Sequence, residues 1–77
     1  MQAYILIQTA AGRLTEMVRD IRRVRGVRSA YGVTGAYDVI AVAEAPSLRD
    51  LADGILADIA SLGGVTKTLT CPVPGAA

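Results

Sequence analysis

Shifted by 38 residues, the chain aligns with itself: Met17, Ile21, Val24, Gly26 and Val27 fall on Ile55, Ile59, Leu62, Gly64 and Val65. This duplicated helix–glycine–strand junction constrains the fold more than any other feature, because two short units of this kind bury their apolar faces by packing on each other. In the first copy Leu14, Met17, Val18, Ile21 and Val24 recur at helical spacing, with Arg13, Glu16, Arg19, Arg22 and Arg23 off that stripe. In the second, Leu48, Leu51, Ile55, Ile59 and Leu62 give the apolar face. Ser47 stands where a helix cap belongs, and Asp50 three residues later completes a weak capping box. Gly26 and the pair Gly63-Gly64 close the two helices.

Four strands surround these helices. Ala3 to Thr9 ("AYILIQT") runs up to a turn at Ala11-Gly12. Val27 to Val33 alternates, placing Val27, Ser29, Tyr31 and Val33 on one face and Arg28, Ala30 and Gly32 on the other. Thr34-Gly35-Ala36 reads as a turn and Tyr37 to Glu44 as the next strand. Val65 to Val73 is the last, before a Pro-Gly-Ala-Ala tail. The order βαββαβ, in two βαβ halves, predicts an α+β ferredoxin-like sandwich. It would hold a four-stranded antiparallel sheet with the first and third strands central and two helices on one face. Residues 1–77 read as one domain.

The central strands are apolar on both sides. Ile5 and Ile7 point one way, Tyr4 and Leu6 the other; Val39 and Ala41 oppose Ile40 and Val42 in the same manner. A sheet with one wet face alternates apolar with polar, and this one does not. The helices cover one face, so a second copy of the sheet is the economical cover for the other, and a homodimer packed sheet on sheet is expected. Composition points the same way: 52% of the 77 residues are hydrophobic, and a lone cysteine cannot form an internal disulfide.

Several function classes recede. With no histidine, general acid–base work and Ser-His or Cys-His nucleophiles have no basis. No Cys, His or acidic residues are spaced for a metal, and no cofactor is called for. Cys71 shares its parity with Leu69 and Val73 and reads as a small buried hydrophobe. The net charge of +1 gives no electrostatic reason for nucleic-acid or membrane binding. Arg19, Arg22, Arg23, Arg25 and Arg28 read as a solvated helix face. The start "MQAYILIQTAAG" lacks a basic leader and a long apolar run, which makes the cytoplasm the expected compartment.

What remains is polar and sparse. Thr66, Thr68 and Thr70 share one parity, opposite to Leu69, Cys71 and Val73. If the apolar set faces the helices, these threonines line the face reserved for the partner. β-Propensity alone explains them equally well. The turn from Gly32 to Tyr37 holds two glycines, so its amides can approach a ligand closely. Asp38 follows it. As a turn residue it would satisfy loop amides. As part of a zwitterion site it would accept an ammonium group while the loop N–H groups hold a carboxylate and Tyr37 forms a wall.

Taken together, "IRRVRGVRSAYGVTGAYDVIAVAEA" and "IASLGGVTKTLTCPV" resemble the effector-binding (RAM) domain of the Lrp/AsnC family of feast/famine transcription regulators. The marks are the helix ending before Gly26-Val27, the Gly-x-Tyr-Asp turn at Gly35, Tyr37 and Asp38, and Thr-x-Thr at Thr68 and Thr70, over roughly residues 2 to 73. The resemblance implies sheet-paired dimers assembled into rings, commonly octamers, that bind a free amino acid in clefts between dimers. By position Thr34, Gly35, Ala36, Tyr37 and Asp38 would line the ligand, with Thr68 and Thr70 as the neighbouring wall. Family members usually carry an N-terminal helix-turn-helix. This sequence starts at the first effector-domain strand, which implies a stand-alone form without direct DNA binding that modulates a full-length Lrp/AsnC-type regulator by mixed assembly. Two other readings compete with this non-enzymatic one: a small dimeric ferredoxin-like enzyme of the monooxygenase or isomerase type, and a purely structural assembly module.

Overall fold

A computed structural model describes residues 1–74. Strand β1 (Gln2–Thr9) leads into helix α1 (Leu14–Arg22), then β2 (Val27–Gly32) and β3 (Val39–Glu44). The second helix, α2, opens as an α-helical turn at Leu48–Asp50, widens to π-helical hydrogen bonding over Leu51–Leu56, and closes as α-helix at Ala57–Ala60. Strand β4 (Val65–Val73) completes the ferredoxin-like βαββαβ order. The sheet runs β2-β3-β1-β4 with every neighbouring pair antiparallel, so β1 and β3 are central as the sequence predicts. The tail from Gly75 onward lies outside the described residues.

The core lies between the helices and one face of the sheet. Ala3, Ile5 and Ile7 of β1 and Val39, Ala41 and Ala43 of β3 are fully buried, as are Met17 and Ile21 of α1 and Leu51 and Ile59 of α2. Each buried aliphatic of this size contributes about 1.5–3 kcal/mol. The π-helical stretch has a packing rationale. Leu51, Ile55 and Ile59 recur every four residues, whereas an α-helical turn takes 3.6, so the wider turns keep all three on one line against the sheet. Leu48, counted on that face from the sequence, lies before the wide turns begin and is 56% exposed.

The two halves interlock at the repeated glycines. Gly26 and Gly64 both have positive φ, 97° and 112°. A Cβ on Gly26 would overlap the end of Ile55, and one on Gly64 would lie 2.8 Å from the Met17 sulfur. Met17 and Ile55 are themselves repeat equivalents, so the glycine of each half receives the helix side chain of the other. The internal symmetry of the sequence is thus a reciprocal contact in the fold.

The Ser47 cap forms as expected. Its Oγ accepts from the Asp50 N–H at 3.1 Å and its hydroxyl donates to Asp50 Oδ2, also at 3.1 Å. Ser47→Ala should therefore cost about 1 kcal/mol, measured as a lowered urea midpoint with unchanged slope. An unchanged midpoint would show that the cap contributes nothing to α2.

Three expectations need correction. First, β3 begins at Val39 and β2 ends at Gly32; Tyr37 and Asp38 stay in the connecting loop, where the Asp38 carboxylate rather than a strand carbonyl takes the Thr9 N–H at the end of β1. Second, a bulge between Val27 and Ser29 breaks the alternation of β2, so Val27 packs against the core while Ser29 and Tyr31 take the open face opposite Val42 and Ile40. Third, β4 has the reverse parity. Thr68 and Thr70 pair with Ile7 and Ile5, on the helix side, whereas Leu69 and Cys71 pair with Leu6 and Tyr4 on the open face. Cys71 is consequently exposed in the protomer rather than buried. The physical reason is that β4 is an edge strand at the rim of the helix layer, where half-buried threonines are tolerated. The open face is the one that demands apolar residues.

Candidate functional site

The loop between β2 and β3, Val33 to Asp38, is closed at its base. The Val33 N–H donates to the Asp38 carbonyl at 2.8 Å, and the Asp38 N–H donates to the Ile7 carbonyl at 2.9 Å. The half-buried Asp38 carboxylate then anchors the loop to the end of β1, where its Oδ2 accepts from the Thr9 N–H at 2.8 Å and from the Thr9 hydroxyl at 3.4 Å. From the open face, Gln8 Nε2 donates to the Ala36 carbonyl at 2.9 Å. The Lys67 ammonium stands 5.9 Å from the centre of the Tyr37 ring, within cation–π range. Gln8 and Lys67 are cross-strand partners, so β1 and β4 together hold both flanks of the loop.

This arrangement leaves specific groups free. Among the described residues, the N–H groups of Thr34, Gly35, Ala36 and Tyr37 donate no hydrogen bond within the chain, and Asp38 Oδ1 accepts none. No unsatisfied side-chain oxygen is buried among the described residues, so Oδ1 is open to solvent. Gly35 sits at φ 133°, a conformation that side chains avoid, and a Cβ there would meet nothing within 4 Å. Asp38 thus holds the end of β1, through Thr9, rather than the amides of its own loop. One oxygen satisfies a backbone amide, while the other remains available next to a run of unused donors. Such donors suit an anion, and the free carboxylate oxygen suits a cation.

Thr34 to Asp38 lie together in the connecting loop. Thr68 follows Lys67, which reaches Tyr37, but Thr68 itself points to the helix side, and Thr70 lies a further strand pair away opposite Ile5. Sequence reasoning misses Gln8, Thr9 and Lys67. Lys67 is the single lysine of the chain and stands inside the threonine run, which is the signal that could have found it. A concavity of about 450 Å³ lies elsewhere, at the Glu44 end of β3, and no loop residue lines it. In one protomer the loop is a rim.

The arginines are largely solvated, with three exceptions. Arg22 Nε donates to the Ala30 carbonyl at 2.9 Å, Arg28 pairs with Glu44 at 2.7 Å, and Arg13 pairs with Glu16. No group of three metal-ligating side chains exists among the described residues, and no helix there is long and apolar enough to cross a membrane.

A model of the Lrp/AsnC ligand-binding domain matches residues 2–74. The chain belongs to that family. A solved structure of TTHA0845 from Thermus thermophilus is 32% identical to this Lrp/AsnC domain, with a TM-score of 0.82 over 90% of this chain and 86% of that one. Escherichia coli AsnC shares the fold at a TM-score of 0.87 and 20% identity, over 97% of this chain and 51% of its own. The transcriptional regulator NMB0573 of Neisseria meningitidis, solved in complex with L-Met, matches at 0.77 and 22% identity, over 90% of this chain and 46% of its own. The Lrp/AsnC domain thus spans about half the length of these two regulators. No curated protein matches the sequence. The family is one of ligand-binding regulatory domains rather than enzymes.

Proposed function

We propose that this Lrp/AsnC ligand-binding domain is a non-enzymatic receptor for a free amino acid and acts through its state of assembly. The observation that carries the reading is the pairing of unused amides at Thr34, Gly35, Ala36 and Tyr37 with the free Oδ1 of Asp38. That pairing complements a carboxylate and an ammonium group on one small molecule. Tyr37 forms one wall, steadied by Lys67. Because the loop is a rim in one protomer, a neighbouring chain supplies the other wall, with Thr68 and Thr70 as candidates. The L-Met complex of a related regulator supports an amino acid as the ligand class.

Assembly follows from the open sheet face, where Tyr4, Tyr31 and Leu69 are 45%, 57% and 46% exposed around half-buried Leu6, Ile40 and Val42. An apolar surface of this kind favours association. Two such faces packed together give a homodimer, and further contacts extend it to a ring such as an octamer. In the cytoplasm it would modulate a full-length Lrp/AsnC-type relative by mixed assembly.

The test is a thermal-shift series with each of the twenty amino acids at millimolar concentration, on wild type, Asp38→Asn and Asp38→Ala. At least one amino acid should raise the wild-type Tm by several degrees. Asp38→Asn keeps an acceptor for the Thr9 N–H and should retain most of the unliganded stability while losing the response. Asp38→Ala should lose the response and about 1–2 kcal/mol of stability as well. No wild-type response to any amino acid, with the oligomer intact, would leave a purely structural assembly module as the better reading.

A further inference from the structure

The single lysine of the chain stands where no carboxylate answers it. Lys67 lies on edge strand β4 opposite Gln8 of β1, in the open-face row with Leu69 and Cys71. It is exposed, and among the described residues it makes neither a hydrogen bond nor an ion pair; the carboxylates paired there go to Arg13 and Arg28. What faces its ammonium is the Tyr37 ring, 5.9 Å away at the centre. A ring face attracts a cation but leaves its three N–H donors to water. Gln8, its neighbour across the strands, donates to the Ala36 carbonyl, so the two side chains flank the same loop.

Two roles are open to such a lysine. On an edge strand a charge discourages pairing with another sheet edge, and that role needs no ligand. It would be served anywhere along β4, however, whereas this charge stands at the point where the strand meets Tyr37. There it joins other groups that the chain leaves unused. The loop N–H groups from Thr34 to Tyr37 donate to nothing, and Asp38 Oδ1 accepts nothing. The loop and its flank therefore offer two places for an anion and one for a cation. A neutral amino acid carries one charge of each sign and leaves the ammonium unanswered. A dicarboxylic amino acid matches all three.

We propose that Lys67 sets the specificity of the candidate site by binding the side-chain carboxylate of an acidic amino acid, L-glutamate or L-aspartate. The main carboxylate of the ligand takes loop N–H groups, its ammonium takes Asp38 Oδ1, and its methylene stem lies against Tyr37. The second carboxylate replaces water on the Lys67 ammonium with charge-assisted hydrogen bonds, the strong kind. An amide at that position brings no charge, so an acid should bind about 10- to 100-fold more tightly than its amide. L-Lysine sets a like charge against Lys67 and should bind least. The inference rests on the amino-acid reading above and names the class of ligand within it.

Calorimetric titration with L-glutamate, L-aspartate, their two amides, L-methionine and L-lysine tests the order. It is run on wild type, Lys67→Arg, Lys67→Met and Lys67→Glu, with circular dichroism and light scattering following fold and mass. Lys67 is exposed and holds no hydrogen bond among the described residues, so folding should survive its replacement. Wild type and Lys67→Arg should prefer an acid over its amide by about 10-fold or more. Lys67→Met should bring that ratio to about one, and Lys67→Glu should move the preference to L-lysine. A wild type that binds an amide as tightly as its acid would overturn the proposal, as would a Lys67→Met variant that keeps the acid preference. A changed mass in Lys67→Met with the ratio intact would mark the lysine as a guard of the sheet edge and would overturn it too. If L-methionine binds most tightly, the role of Lys67 fails while the amino-acid reading stands; if no amino acid binds, both fail.

Discussion

Replacing Gly26 by alanine is expected to lower the Tm by about 10 °C or more. Two penalties combine. Gly26 sits at φ 97°, where a side chain costs about 1–3 kcal/mol, and its new Cβ would overlap the Ile55 side chain while lying 3.3 Å from the Glu44 carbonyl. Overpacking of that kind costs roughly another 1–3 kcal/mol. Total losses of about 2–6 kcal/mol are large against the 5–15 kcal/mol that holds a typical domain, and each kcal/mol moves the Tm of a domain this small by about 4–8 °C. Gly64→Ala shares the backbone penalty, but it meets only the flexible Met17 thioether at 2.8 Å and should cost less. Gly63→Ala, with no positive φ and nothing within 4 Å, should stay within about 0.5 kcal/mol of wild type. Thermal melts of the three variants check the order. Equal losses at Gly26 and Gly63 would show that the reciprocal glycine contact does not hold the two halves together.

Leu6→Lys is expected to dissolve the assembly into folded monomers. Leu6 lies on central strand β1, flanked on the open face by Ile40 of β3 and Leu69 of β4. In an isolated protomer a lysine there keeps its ammonium in water, and the substitution touches none of the buried core. Between two packed sheets the same charge has no partner, and its desolvation costs several kcal/mol. Association should weaken by about a thousandfold or more. The released monomer, small and lacking the stabilisation that mass action gives an oligomer, should melt at a lower and concentration-independent temperature. Light scattering together with melts at two concentrations measures both effects. A variant that keeps the wild-type mass would show that this face is not the interface.

Much of the fold is legible in the sequence because it is written in periodicity. The 38-residue repeat, the helical spacing of Met17 and Ile21 and the two-sided apolar pattern of β1 and β3 are local properties that the fold preserves. The errors fall where a long-range contact overrides a local rule. Nothing in "VTGAYDVIAVAE" shows that the Asp38 carboxylate will bond the Thr9 N–H of β1, so the apolar pattern extends the strand over Tyr37 and Asp38. The inversion of Thr68 and Thr70 has a different origin. Local parity in β4 sends Leu69 toward the helices, yet the neighbouring strands make the open face the more demanding apolar surface. At the candidate site, the stretch Thr34 to Asp38 is visible as a glycine-bearing turn with an acid. Gln8 and Thr9, 28 and 29 residues from the groups they bond, and Lys67 are not, because their roles exist only once β1 lies beside β4.

The central claim is that this chain works as an assembly, since its candidate ligand loop is exposed from Thr34 to Ala36 and its sheet has two apolar faces. Multi-angle light scattering of the wild-type protein at tens of micromolar is the most direct measurement. The account predicts a mass that is an even multiple of the 8.0 kDa protomer and larger than a dimer. A folded, ligand-responsive species of 8.0 kDa would contradict it.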